Sequence, residues 1–257
     1  MATIAAVLIV KNEADVLARC LDSLDWVDEI VLVDDESEDE TIAIAEEHGA
    51  KVYRRALDRF DVQRNYAMDQ ATSDWILSID ADEQVPAELA EEIRQVIDQP
   101  DALDVYGIPF LHQIFGRWIR HGGWTAPLTR LYRRGVRWSG AVHEQVVKGE
   151  RYGTLRYPLL HYSHRTVAEF ITKLNGYTDR EGRMRVEAGA THSNPKLVLS
   201  PLRDFWRRYV AERGYRDGSA GLVLAALMAG YVFCARAKSW ELLEPADEPA
   251  PDVGPVR

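Results

Sequence analysis

The stretch Trp75-Ile76-Leu77-Ser78-Ile79-Asp80-Ala81-Asp82-Glu83 decides the fold. It opens as an apolar run bounded by polar residues, the pattern of a strand buried inside an α/β sheet. It ends on two carboxylates spaced i, i+2, with a third directly after. Ligands of open parallel sheets gather at the carboxyl ends of strands, so Asp80 and Asp82 stand where a substrate is expected. Carboxylates this close do not all stay ionised cheaply unless a cation sits among them. Hard oxygen donors suit Mg2+ or Mn2+, ions that commonly bridge to phosphates. Solvated acids at a strand end are the plainer account of the same residues.

Upstream, residues 3–10 read as a first, central strand, followed by a helix over 14–24. Residues 29–33 read as a second strand, then a helix over 40–48 closed by Gly49. Residues 50–54 make a third strand, and a helix over 61–71 leads into the strand that ends at Asp80. Pro86 suits the first turn of another helix over 87–97. This β-α-β-α-β-α-β-α alternation predicts a doubly wound, mostly parallel sheet. No glycine-rich dinucleotide fingerprint and no phosphate-binding glycine loop occur in the chain.

At the second strand's end stand Asp34, Asp35, Glu36 and Ser37. Capping by Asp39 or Ser37 explains one of these polar groups. It leaves Asp34 and Asp35, whose carboxylates could accept hydrogen bonds from a ribose hydroxyl or a base N–H. Arg64, at a helix start, is either an ordinary salt-bridge partner or a fork for a diphosphate.

The chain has 257 residues, 46% of them hydrophobic, enough for a sizeable core. Its net charge of −10 argues against a nucleic-acid partner. Acids dominate from Asp22 to Glu92, whereas arginines crowd 117–137 and 180–216. That asymmetry suggests an acidic, metal-binding half and a basic half facing phosphates or an anionic membrane. Cys20 and Cys234 read as buried free thiols of a reducing compartment. The chain enters its first strand at once, so no secretory signal is expected.

Taken together, these motifs resemble a family 2 glycosyltransferase of the GT-A fold. The resemblance rests on Val10-Lys11-Asn12-Glu13, Val33-Asp34-Asp35-Glu36-Ser37, Gln63-Arg64-Asn65 and Asp80-Ala81-Asp82, in that order and spacing. Trp138-Ser139-Gly140-Ala141-Val142-His143-Glu144 is similar to an element of the bacterial branch that includes lipopolysaccharide-core glucosyltransferases. The resemblance implies transfer of a sugar, with inversion, from a nucleotide-diphosphate donor to a saccharide or glycolipid acceptor. By matching position it implies that Val10, Lys11 and Glu13 line the nucleotide pocket and that Asp35 holds the base or ribose. Asp34, Gln63, Arg64 and Ala81 belong to the same donor site. Asp80 would contact the ribose or metal-bound water, and Asp82 would ligate Mn2+ or Mg2+.

Inversion needs a base for the acceptor hydroxyl. Glu144 is the candidate, with His143 as rival base, orienting group or phosphate contact. His161 closes the apolar 158–160 run and is a candidate metal ligand, although a lone histidine is more often structural. Trp118 and Trp124, in a glycine- and arginine-rich loop, could stack on a sugar or brace the loop. Residues 103–111 read as one strand. Residues 129–134 alternate like another, with a turn at Gly135 and a return over 136–138.

Residues 1–165 are expected to form the transferase domain, 166–243 a helical, membrane-associating extension, and 244–257 a disordered tail. A helix is expected over 166–188, with Pro195 and Pro201 as punctuation. A helix over 202–213 mixes aromatics with arginines, as interfacial helices do. The apolar run 220–235 is short for crossing a bilayer, which needs about 20 residues. It could be the buried core helix of a soluble dimer or could dip into the cytoplasmic leaflet. The expected location is the cytoplasm, peripheral on the inner membrane's cytoplasmic face. Two other readings fit paired acids: a metal-dependent nucleotidyltransferase, and a non-catalytic carbohydrate- or membrane-binding module.

Overall fold

The computed structural model describes residues 1–139, 145–146 and 151–244. In chain order its first elements are β1 (Ile4–Val10), α1 (Ala14–Asp22), β2 (Glu29–Asp34), α2 (Thr41–Glu47), β3 (Lys51–Arg54), α3 (Phe60–Gln70), β4 (Trp75–Ser78), β5 (Glu83–Gln84) and α4 (Ala87–Ile97). There follow β6 (Val105–Ile108), β7 (Phe110–Ile114), β8 (Arg117–Ile119), β9 (Leu128–Arg133), β10 (Trp138–Ser139), β11 (Gln145–Val146), β12 (Tyr152–Thr154) and β13 (Leu159–Tyr162). The last helices are α5 (Val167–Glu187), α6 (Asn194–Trp206) and α7 (Gly218–Leu243). The chain divides into two compact units: Met1–Gln113 with Trp124–Ser163, and Ile114–Gly123 with the residues from His164 onward.

In the first unit a seven-stranded sheet has the order β12-β6-β9-β4-β1-β2-β3. β1, β2, β3 and β4 run parallel, while β9 runs against both β4 and β6. β1 is continuous in apolar residues because both of its faces are covered. Ile4, Ala6 and Leu8 pack with Leu17 and Leu21 of α1 and Leu89 and Ile93 of α4. Ala5 and Val7 pack on the other face with Val31, Val33, Ala67 and Met68. Each fully buried aliphatic side chain here contributes about 1.5–3 kcal/mol. The α/β alternation expected through Ile97 is present, with the mostly parallel sheet it implies.

Three expectations are corrected. The single strand over 103–111 is two, β6 and β7, because Pro109 has no N–H to continue a ladder. The return strand after Gly135 does not pair with β9. Trp138 and Ser139 pair with Gln145 and Val146 instead, while Asn65 binds the backbone of Trp138. Its amide donates to the Trp138 carbonyl at 2.8 Å and accepts from the Trp138 N–H at 3.0 Å. Finally, Pro195 and Pro201 do not separate helices. Pro195 sits in the first turn of α6, where no N–H is needed, and Pro201 lies inside it.

From His164 onward the second unit is helical. Thr166 caps α5 by accepting the Glu169 N–H at 3.1 Å. The apolar run expected over 220–235 belongs to a longer helix, α7, of 26 residues. At 1.5 Å per residue it is about 39 Å long, so by length and composition it could span a bilayer. It packs against α5 and α6. No side chain of α6 is buried, and Val198, Leu199, Leu202 and Trp206 are each more than half exposed.

Candidate active site

The site forms where β1, β2 and β4 end on one edge of the sheet. β1 lies between the other two, so the ends of β2 and β4 are about 10 Å apart at ordinary strand spacing. The loops after β1 and β2 each hold a non-glycine residue in the left-handed region, Asn12 at φ 53° and Glu36 at φ 55°. Such conformations cost of order 1–3 kcal/mol and persist only where surrounding contacts impose them. Those contacts link the two loops. The Asn12 N–H donates to the Ser37 hydroxyl at 2.9 Å, and its side-chain oxygen accepts from the Glu38 N–H at 2.8 Å. Asp39 accepts from the Ala14 N–H at 3.1 Å and from the Thr41 N–H at 3.0 Å. The Glu13 N–H donates to the Thr41 hydroxyl at 2.8 Å.

Asp34 and Asp35 divide into two roles. Asp34 is fully buried, and its carboxylate accepts the Ser37 N–H, which closes the turn. Asp35 accepts the Leu57 N–H at 2.7 Å through one oxygen and the Lys11 ammonium at 3.2 Å through the other. The Leu57 hydrogen bond, helped by Lys11 and opposed by burial, holds the Asp35 carboxyl below the usual carboxylate range. Val10 is buried at the end of β1, and Lys11 remains half exposed. Gln63 is fully buried and both ends of its amide engage Arg55. Its nitrogen donates to the Arg55 carbonyl at 2.7 Å and its oxygen accepts from the guanidinium. Gln63 therefore fastens the β3–α3 connection.

At the end of β4, two acids share one arginine. Arg130, facing inward from β9, donates to Asp80 at 2.6 Å and to Glu83 at 2.6 Å. Burial raises the Asp80 carboxyl, but Arg130, then Arg64 and His161, outweigh it and hold it at about 2. Asp80 is ionised at neutral pH, with half of its side chain open to solvent. Glu83 is fully enclosed, accepts the Asp80 N–H at 2.9 Å, and is pushed up by burial despite Arg130. Arg64 donates to the Ser78 hydroxyl at 2.6 Å and lies over the Trp138 ring, 4.9 Å from its centroid. Ala81 is buried under this turn. The Cys20 sulfur lies 3.5 Å from the Asp80 carbonyl oxygen. Burial, and then the three carboxylates, push that thiol up and leave it unreactive.

Asp82 meets the second sheet of this unit, in which β13 pairs with β5 and β7. The Tyr162 N–H donates to the Asp82 carbonyl at 2.9 Å, which sets the strand beside the acid. His161 Nε2 then lies 3.1 Å from Asp82 Oδ2. Two ligands at right angles around a six-coordinate ion of bond length about 2.1 Å are about 3.0 Å apart. The separation therefore matches that of adjacent corners of a metal shell, with Asp82 supplying the hard oxygen. Among the described residues no group of three or more histidines, cysteines or acids could hold a metal, so the remaining corners would fall to water or ligand oxygens. His161 Nδ1 is buried with no hydrogen-bond partner among the described residues, and the ring packs against His112 at 4.8 Å between centroids. His112 also faces Trp124, 5.9 Å away.

The structure thus gathers Asp80, Asp82, His161 and Arg64 at the end of β4, and Lys11 and Asp35 at the ends of β1 and β2. Sequence reasoning missed Arg130. Its only signal was a charged residue at an inward position of the alternating strand Leu128–Arg133. His143 and Glu144 lie outside the described residues.

Residues 5–151 match the family model described as Glycosyl transferase family 2. An uncharacterized glycosyltransferase of Rickettsia felis is 32% identical, over 95% of this chain and 91% of that one. A lipopolysaccharide core biosynthesis glycosyltransferase, LpsC of Rhizobium meliloti, is 28% identical over 93% and 92%. Among solved structures, a mannosyltransferase of Pyrobaculum calidifontis, in complex with GDP-Man and Mn2+, superposes with a TM-score of 0.58 at 15% identity, over 95% of this chain and 88% of that one. The strand-end carboxylates lie inside the segment that the family model spans, and the chain belongs to glycosyl transferase family 2, with the GT-A type of α/β fold.

Proposed function

We propose that the chain moves a sugar, with inversion, from a nucleotide-diphosphate donor to an envelope glycolipid or lipid-linked saccharide. The observation that carries this reading is the pairing of Asp82 and His161 at 3.1 Å beside an ionised Asp80 at the end of β4. Asp82 and His161 would hold a divalent ion, Mn2+ or Mg2+. When bound, that ion neutralises charge on a departing diphosphate. Asp35 and Lys11 would receive the nucleoside, with Val10 and Glu13 beside them. Arg64 would fork onto phosphate oxygens, a task for which its planar donors suit it. Arg130 keeps Asp80 charged and oriented toward the ribose. Glu144 would take the acceptor's proton, with His143 beside it.

The likeness to a lipopolysaccharide core biosynthesis enzyme supports the acceptor class. The Mn2+ and GDP-Man of the mannosyltransferase complex support the donor and metal classes. The outward stripe of α6, Val198, Leu199, Leu202 and Trp206 with Arg203 among them, supports peripheral attachment to an anionic membrane. The inner membrane's cytoplasmic face is the expected surface.

The test is to incubate the purified chain with a panel of nucleotide sugars and Mn2+. Metal-dependent release of nucleoside diphosphate is the expected result. Cleavage of nucleoside triphosphates at the α-phosphate, with no action on any nucleotide sugar, would replace this reading with a nucleotidyltransferase. No turnover of either class would leave a binding module.

A further inference from the structure

The second unit gathers arginines that its own acids do not balance. Arg185 of α5 and Arg236 of α7 line one small pocket with Thr191, His192, Ser193 and Trp240. Arg236 Nε is buried and has no hydrogen-bond partner among the described residues. Among the described residues Arg185 has one acid partner, Glu181, at the long distance of 3.6 Å. Burial, then Arg185, then Arg203 of α6 all act against the positive charge of Arg236, and Glu181 acts for it. A guanidinium does not relieve such crowding by losing its proton. A bound anion would relieve it.

We propose that this pocket binds a phosphate group, gripped by the guanidinium forks of Arg185 and Arg236. Two guanidiniums that share the single acid Glu181 leave positive charge for an anion to balance, and planar guanidinium forks suit phosphate oxygens. The Ser193 and Thr191 hydroxyls supply further donors at the rim. Ser193 is the N-cap of α6, yet its side chain makes no capping bond, so its hydroxyl is not committed to that helix. A tetrahedral oxyanion uses this many convergent donors better than a planar carboxylate does. The phosphate could be free or could be a lipid headgroup, and the shared chemistry is a phosphate monoester or inorganic phosphate.

The test uses the full chain in chloride buffer at fixed ionic strength. In one arm, inorganic phosphate is titrated by calorimetry. In the other, flotation is compared between phosphatidylcholine vesicles with and without phosphatidic acid. The expected result is saturable phosphate binding that weakens at least about tenfold in Arg236→Gln and in Arg185→Gln, the loss of a charged hydrogen-bond pair. Flotation that falls in the same variants, and that soluble phosphate competes away, identifies a lipid headgroup as the source. Flotation equal in wild type and variants, with phosphate binding weakened in the variants, identifies free phosphate. Wild-type protein that does not bind phosphate saturably, and whose flotation soluble phosphate does not compete away, overturns the proposal, even where a variant fails to fold. Variants that bind phosphate as wild type does also overturn it. Neither readout involves a sugar donor, so this outcome and that of the transferase test are separate.

Discussion

Replacing Arg130 with methionine tests how the acids at the end of β4 are held. The Glu83 side chain is 0% exposed and Arg130 only 10% exposed, at 2.6 Å from each other. Methionine keeps much of the volume and removes the charge. Breaking a buried pair from one side costs about 3–5 kcal/mol, since the remaining charge is stranded. For a chain of this size that corresponds to a drop of about 10 °C in Tm. The loss should depend on pH. Burial already holds the Glu83 carboxyl above its ordinary range, and without Arg130 it rises further. A group whose folded pKa is raised is neutral and tolerated at low pH. In wild type and variant alike its penalty grows as pH climbs from the unfolded value of 4.5 to the folded one, and it grows over a wider range in the variant, whose carboxyl is raised further. The deficit between variant and wild type, followed by circular dichroism melts, should therefore be larger at pH 8 than at pH 5. Adding Glu83→Gln to Arg130→Met should recover about half of it or more. Equal deficits at both pH values would show that Arg130 acts by packing alone, and the account of the acid cluster would fail.

Asp82→Asn should abolish Mn2+-dependent donor binding by calorimetry, because the amide is a far weaker ligand than the carboxylate; unchanged binding would remove Asp82 from the metal site. Glu144→Gln should leave donor binding intact and lower transfer by at least about a hundredfold, and near-normal turnover would exclude it as the base. Leu202→Glu with Trp206→Glu, both on the exposed stripe of α6, should release the protein from anionic vesicles without lowering its Tm; continued co-sedimentation would count against that face. Gly221→Ala should destabilise the helical unit by about 1–3 kcal/mol, because an added Cβ would overlap the Gly214 carbonyl; a Tm unchanged in thermal melts would contradict the close approach.

The sheet was legible in the sequence wherever burial on both faces writes itself as an unbroken apolar run, as in β1, β2 and β4. The Asp80–Asp82 pair was legible because two acids interrupt such a run. Arg130 was not, because a single arginine in an alternating strand reads as a solvent-facing residue until the fold supplies Glu83 opposite it. The division of labour between Asp34 and Asp35 was equally hidden, since it depends on which N–H groups the neighbouring loops deliver. Gln63 shared a motif with Arg64 and Asn65, yet the three face different tasks. Gln63 binds Arg55, Arg64 turns toward Ser78 and Asn65 holds Trp138. The α6 boundary was missed because proline in a helix's first turn looks the same in sequence as proline that ends one.

β4 is hydrogen-bonded on both sides, to β1 and to the reversed strand β9. Amide protons of Ile76 and Leu77 can therefore swap with deuterium only when much of the first unit opens. The acids that follow them stand on a floor tied down from both sides, whereas the linked loops after β1 and β2 rest on a few side-chain contacts. Donor entry should accordingly slow deuterium uptake at Asn12 and Glu36 and leave Ile76 and Leu77 as they were.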